Sequence, residues 1–379
     1  MSKKPTILVT SAAGKTGMPT TLQLLEKGHP VRAFVRRADH RAKRLADAGA
    51  EIFVGDHFAL PDMRSAMAGV GRAYFCAPAA PGGLLFSHVF ATAAQEARLE
   101  HVVMLSQWLA HADHPSFFTR ETWLTEQMFK RLPETSLTIN NVGWFADNYF
   151  MVLESAAQFG LLTMPLGDGN VKKDAPPSNE DIARVSVAAL IDPGAHAGKT
   201  YRPTGPTLLS PNEIAATLGK VLERKVRYWD VPDSMVLKAF TAEGYSPALQ
   251  SQFVGYYTEE YRRGSFAVGA PSGAVEAVTG RAPEDFETIA RRYAASRPEA
   301  RRTAAARLRA MRNFARLLAT RSATPAKVER LREHALLTRP EFSFDSAAWH
   351  KTHDPAAGFT PDRPNLDDRV AVVEATAPA

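Results

Sequence analysis

The sequence predicts an α/β fold: a doubly wound parallel sheet, a smaller lobe beyond it, and a helical extension at the C-terminus. Three observations predict it. Short apolar runs alternate with helical stretches through residues 1–150, the rhythm of a parallel sheet wound by crossover helices. The first run passes into the first helix through a turn of small residues, Thr10-Ser11-Ala12-Ala13-Gly14-Lys15-Thr16-Gly17. The basic residues gather late: between Arg301 and Arg332 stand ten Lys and Arg against one acid, Glu329, while the whole chain carries only +6.

The elements follow in order. Ile7 to Thr10 reads as the first strand, Met18 to Lys27 as a helix with Gly28 as its C-cap, and Val31 to Val35 as the second strand. A helix over Arg41 to Ala48 stops at Gly49, and Glu51 to Val54 is a third strand ending in Gly55-Asp56-His57. Asp62 to Ala68 is helical, Arg72 to Cys76 is a strand broken by Ala77-Pro78, and Ser87 to Ala97 is a helix after the Pro81-Gly82-Gly83 loop. Val102 to Leu105 ends at Ser106, and Leu137 to Val142 is the sixth strand. Ligands of such sheets sit outside the carboxyl ends of the strands. One crevice should therefore gather Gly14, Arg36, Asp56, Ala77, Pro78 and Ser106.

The turn has a chemistry. Backbone N–H groups at a helix N-terminus bind a pyrophosphate only where no side chain blocks the approach, so Ser11, Ala12, Gly14, Lys15, Thr16 and Gly17, with Thr10, form a candidate dinucleotide site of the Rossmann kind. The glycine pattern of this variant, G-x-x-G-x-x-G, stands here as S-x-x-G-x-x-G. A second strand closes the βαβ unit within about 30 residues, as the motif demands. That strand ends in Arg36 and Arg37, with no acid until Asp39. Arginines there suit the 2′-phosphate of NADP(H), where an acid would suit NAD.

Composition excludes other classes. The single cysteine, Cys76, excludes an internal disulfide framework and fits a reducing, cytoplasmic setting. No apolar run approaches the ~20 residues of a membrane span, and no secretory signal opens the chain. No His, Cys, Asp or Glu set has metal spacing; His111 and His114 stand alone.

Taken together, Ile7-Leu8-Val9-Thr10 with its turn, Val54-Gly55-Asp56, Val103-Met104-Leu105-Ser106, Asn179-Glu180-Asp181-Ile182-Ala183 and Thr279-Gly280-Arg281-Ala282-Pro283-Glu284-Asp285-Phe286 resemble the NmrA-like group of atypical short-chain dehydrogenases over Thr6 to Tyr293. The resemblance implies that Asp56 and His57 flank the adenine, that Ala77 and Pro78 line the path to the nicotinamide, and that Ser106 lies beside its ring. The chain is expected to divide into a dinucleotide-binding domain (1–150) and a smaller lobe partly interleaved with it (151–296), with a basic extension and loose tail (297–379) outside the resemblance.

One departure bears on the chemistry. Ordinary members of the superfamily use a Tyr and a Lys four residues apart, one helical turn that puts phenol and ammonium on the same face. No Tyr-x-x-x-Lys occurs anywhere in this chain. The expected activity is therefore NADPH-dependent reduction of a quinone-like or other conjugated small-molecule acceptor, whose anion after hydride transfer is stable enough to collect its proton from water. The alternative is a non-catalytic NAD(P) sensor that binds a partner protein. His114, beside the start of a helix at Pro115, and Tyr149, after the sixth strand, are the candidate proton donors. Glu121 and Glu126, five apart, are not read as a carboxylate pair. Trp144, Phe145, Tyr149 and Phe150 read as lining for a flat substrate.

Later segments complete the lobe. Gly167 to Pro177 is a loop, and a helix over Asp181 to Leu190 follows Ser178 or Asn179 as its cap. Lys199 to Pro203 and Lys225 to Asp230 are strands, and a capping-box helix starts at Ser210. Ser234 to Glu243 and Pro247 to Glu260 are helices expected to cover the cleft. Arg301 to Thr320 is an amphipathic basic helix with Leu308, Met311, Ala315 and Leu318 on one side. It is expected to pack on its own domain or on a second copy of the chain, with nucleic acid and membrane set aside as partners. A helix over Pro325 to His334 and a loose tail from Arg339 end the reading.

Overall fold

The computed structural model describes residues 4–78, 80–321 and 337–354. Six apolar runs become the parallel strands β1 (Thr6–Val9), β2 (Val31–Val35), β3 (Glu51–Val54), β4 (Val70–Phe75), β5 (His101–Gln107) and β6 (Ser136–Val142). With the late strand β8 (Thr200–Tyr201) added, they form a seven-stranded sheet in the order β3-β2-β1-β4-β5-β6-β8. Ile7 and Val9 face one side and Leu8 the other, and all three are fully buried, as expected of strands covered on both faces.

Helices α1 (Gly17–Glu26), α2 (His40–Asp47), α3 (Leu60–Met67), α4 (Gly83–Glu96) and α5 (Phe117–Phe129) supply the covering layers. On one face α3, α4 and α5 bury Met63, Phe86, Phe90 and Phe129 against Leu8, Phe34 and Phe75. On the other, Val187 and Leu190 join Ile7, Val9 and Val31. Helix α4 starts at Gly83, ahead of the expected Ser87, because Gly82 turns the chain at φ +95.

The lobe beyond β6 holds α6 (Leu153–Phe159), β7 (Leu161–Met164), α7 (Asn179–Ile191), α8 (Pro193–His196), β8 (Thr200–Tyr201), α9 (Pro211–Val221) and β9 (Arg227–Asp230). Its chain is threaded through the sheet domain: α7 packs on α1, and β8 pairs in parallel with β6. The N-cap of α7 is Ser178, whose hydroxyl accepts from Asp181 N at 3.0 Å. Strands β7 and β9 make a small parallel sheet of their own. β7 was not visible in the sequence, being four residues long and set off from α6 only by the left-handed Gly160.

After β9 come α10 (Asp233–Ala242), α11 (Pro247–Gln252), α12 (Thr258–Arg263), α13 (Ala274–Thr279), α14 (Phe286–Ser296) and α15 (Ala304–Ala319). The single helix expected over Pro247 to Glu260 is interrupted by a wide π turn at Phe253–Tyr257. The helix expected over Pro325 to His334 lies outside the described residues.

The loose tail expected from Arg339 is corrected over 341–354. Ser343 N donates to Glu260 Oε1, and a last short helix, Ala347–His353, buries Trp349, whose indole N–H donates to Trp108 O at 2.6 Å. Pro, Asp and Gly content suggested a coil, but one buried aromatic with a satisfied N–H is enough to anchor such a segment. Trp349→Phe should lower stability in urea denaturation by about 1–2 kcal/mol, the usual cost of leaving a buried carbonyl unpaired. Among the described residues no helix is long and apolar enough to cross a membrane.

Candidate functional site

The turn between β1 and α1 is held by its own side chains. Thr10 Oγ1 donates to Tyr74 O and accepts from Cys76 N, Ser11 Oγ donates to Cys76 O at 2.8 Å, and Thr16 Oγ1 accepts from the Tyr74 hydroxyl. These side chains brace the loop from beneath. Ser11 takes a left-handed φ of +49, the conformation that glycine holds in the usual pattern. Gly14 and Gly17 have no such choice. A Cβ on Gly14 would lie 2.9 Å from Ser11 O, and one on Gly17 would fall 2.9 Å from Ala12 Cα and closer still to Ser11 O. Helix α1 then begins without a side-chain cap: Met18 N turns back to Gly14 O and Pro19 has no N–H, which leaves Gly17 N at the helix start for an anion.

At the end of β2, Arg36 and Arg37 are exposed. Asp39, the first acid after them, is engaged elsewhere: its carboxylate accepts from Arg41 N and Ala42 N as the cap of α2, and the Arg41 guanidinium holds its pKa down at about 2. After β3, Asp56 Oδ1 accepts from Phe58 N, and the buried His57 packs between Phe34 and Phe86, where burial lowers its pKa.

A cavity of about 490 Å³ opens at the carboxyl ends of β4, β5 and β6. Ala77, Pro78 and Ser106 line it, as does Lys15, whose ammonium pairs with the buried Asp147 across the mouth. Trp108, Trp144 and Phe145 line it too, with Phe240, Leu249 and Phe253 from α10, α11 and the π turn, and the Trp144 and Phe253 rings touch at 5.4 Å between centroids. Tyr149 and Phe150, expected in this wall, lie in the packed core behind it; Phe150 stacks on Tyr293 with ring centroids 4.0 Å apart.

Neither expected proton donor, His114 or Tyr149, lies on the cavity. His114 is fully buried and lines no part of the cavity: Ser116 N donates to its Nδ1 at 2.9 Å, so Nε2 carries the hydrogen and donates to Glu260 at 3.0 Å. Burial lowers its pKa, outweighing the rise that Glu260 gives, and the ring is neutral. Tyr149 is equally enclosed. Its hydroxyl bonds Asp174 and Tyr261, and burial pushes its pKa well above the ordinary phenol value.

Helix α5 supplies what the sequence reading missed. Phe118, Glu121, Thr122 and Thr125, spaced i, i+3, i+4 and i+7, line the cavity. Glu121 is legible on that stripe, whereas its spacing of five from Glu126 carries no signal. Glu121 is half-buried, and a Cβ on Gly83 would lie 3.2 Å from its Oε2, so that glycine leaves room for the carboxyl. Burial raises its pKa to about 7, against a smaller lowering by Arg120. Glu126 turns beneath the cavity to accept from the Ser106 hydroxyl. Burial also pushes the Cys76 thiol up to about 11, so it is no nucleophile. Gln107 is fixed by Thr119, Thr122 and Tyr257.

Among the described residues no group of three or more His, Cys, Asp or Glu could hold a metal ion. The site joins the small-residue turn to a mostly apolar cavity with one carboxyl whose pKa burial raises to about 7. Comparison with known proteins gives this arrangement relatives. The chain is 31% identical over 296 residues to an NAD(P)H azoreductase of Xenophilus azovorans, covering 76% of this chain and 98% of that one. It is 28% identical over 290 residues to a (4-alkanoyl-5-oxo-2,5-dihydrofuran-3-yl)methyl phosphate reductase of Streptomyces griseus, covering 74% and 95%. The fold matches a crystal structure of an NADPH-dependent quinone oxidoreductase from Escherichia coli complexed with NADPH, at a TM-score of 0.63 and 22% identity over 75% of this chain and 98% of that one. Residues 3–286 match the NmrA-like family throughout, and the chain belongs to that family.

Proposed function

We propose that the protein is an NADPH-dependent reductase of flat conjugated acceptors, azo compounds, quinones or unsaturated carbonyls, with Glu121 as its proton donor. The observation that carries this reading is a protonatable carboxyl inside an apolar cavity, beside the Ala77-Pro78-Ser106 edge that leads from the dinucleotide turn. The named relatives act on an azo, a quinone or an oxo-dihydrofuran substrate, and each of these is a conjugated acceptor.

The residues present fit the coenzyme. The cleared turn and uncapped α1 suit the pyrophosphate, and Arg36 and Arg37 suit a 2′-phosphate now that Asp39 is occupied as a helix cap. When bound, the nicotinamide supplies a hydride. The apolar lining of Trp108, Trp144, Phe240 and Phe253 receives the acceptor and excludes water. Glu121 then gives its proton to the atom that gained negative charge and is reprotonated from solvent through the half-open side of the cavity. That anion is spread over a conjugated system, so a carboxyl suffices. A saturated ketone would leave an alkoxide, a stronger base that calls for the missing Tyr and Lys.

The test is NADPH oxidation across azo dyes, quinones and enones beside saturated ketones. Turnover confined to saturated ketones would overturn the proposal, and tight NADPH binding with no oxidation by any acceptor would favour the sensor reading. Arg36→Ala and Arg37→Ala should each weaken NADPH about tenfold, the worth of one charge-assisted contact, and leave NADH affinity unchanged in calorimetry.

A further inference from the structure

Helix α15 is oriented against its own pattern. An amphipathic helix on a globular protein turns its large apolar residues inward. Here Ala306 and Ala310 form the buried edge, and Arg309 and Asn313 bond Glu154 of α6. The large residues face out: Leu308 is 69% exposed, Leu318 56% and Met311 55%, with Phe314 and Phe159 of α6 in ring contact beside them. An apolar patch of this kind, rimmed by charge, marks an interaction surface.

The charge on its margin selects the occupant. Seven arginines and no acid lie from Arg301 to Arg321, and Arg312 and Arg316 flank the apolar stripe on the solvent side. A second copy docking by two-fold symmetry would press these arginines against their own images, and like charges so placed are unfavourable. The helix is also convex and presents no groove for a peptide. An anionic bilayer surface meets both features at once, taking the apolar side chains among its acyl chains and the guanidinium groups among its headgroups.

We infer that the outward face of α15, Leu308, Met311, Phe314 and Leu318 with its bordering arginines, docks the protein onto anionic membrane surfaces. This reverses the expectation drawn from sequence, which set membranes aside because the helix was expected to bury its stripe. Since α15 packs on α10, whose Phe240 lines the cavity, docking brings the lid side of the site toward the lipid.

The experiment is co-sedimentation of the full chain with vesicles of phosphatidylcholine and phosphatidylglycerol, beside vesicles of phosphatidylcholine alone. It is run at about 0.1 M and about 1 M salt, between which the screening length falls from ~10 to ~3 Å. Binding is expected on the mixed vesicles only, and lost at high salt. The double variant Leu308→Ser/Leu318→Ser and the double variant Arg312→Gln/Arg316→Gln should each weaken it about tenfold or more. All four positions are exposed, so NADPH affinity and thermal midpoint should stay at the wild-type values and report intact folding. Failure to bind the mixed vesicles, or binding that survives both double variants, overturns the inference. So does sedimentation showing that the leucine variant turns a dimer into a monomer, because the face would then join two copies.

Discussion

Glu121→Gln is expected to lower kcat for an azo or quinone acceptor by about 10²-fold or more, the usual contribution of a positioned general acid, with NADPH affinity unchanged. The sharper readout is the pH profile. Burial holds the Glu121 pKa at about 7, so the proton-bearing form is present below that pH and is lost above it. Wild-type kcat should therefore fall as pH rises through about 7. The glutamine variant should be flat over the same range, since an amide does not titrate there. Gln matches Glu in volume and keeps a polar end beside Gly83, so a purely structural role would leave the profile's shape alone. A variant that retains both wild-type turnover and its pH dependence would remove Glu121 from the mechanism. Glu126 is the natural control. Burial raises its pKa too, but its carboxylate is closed off beneath Ser106, with Lys130 3.6 Å away.

Why was the sheet legible and the acid not? Each strand of the main sheet is an apolar run ending in small or turn-forming residues, a local signal that survives folding. The dinucleotide turn is legible for the same reason, because its glycines meet only residues three to six positions away. A proton donor is defined instead by what surrounds it. His114 had a suitable position in the chain, yet Glu260 approaches from 146 residues away and closes it in. Tyr149 meets Tyr261 across 112 residues. No periodicity reports such meetings. Glu121 lies on a countable stripe, but its pKa of about 7 comes from burial, which the stripe alone does not report. The C-terminal extension divides the same way: the pattern of α15 showed an amphipathic helix, while the choice of its alanine edge for packing depended on the shape of α6 and α10.

Gly17→Ala is expected to abolish coenzyme binding, with affinity for NADPH falling by about 10²-fold or more in calorimetry and the thermal midpoint falling as well. The added methyl would press on the backbone of both Ser11 and Ala12, and backbone cannot step aside as a flexible side-chain tip can. Overpacking of this sort costs about 1–3 kcal/mol in stability. The larger loss is in binding, because moving Ser11 and Ala12 reshapes the turn proposed to hold the pyrophosphate. Two companions separate this from a general intolerance of alanine. Gly273→Ala, where a Cβ would meet nothing within 4 Å, should be neutral in both measurements. Ser11→Gly relieves a left-handed residue, worth about 1 kcal/mol, but gives up the hydrogen bond to Cys76 O, worth about the same. Its stability should hardly change, and NADPH should still bind. If Gly17→Ala instead binds as wild type does, the pyrophosphate does not sit on this turn and the coenzyme assignment fails with it.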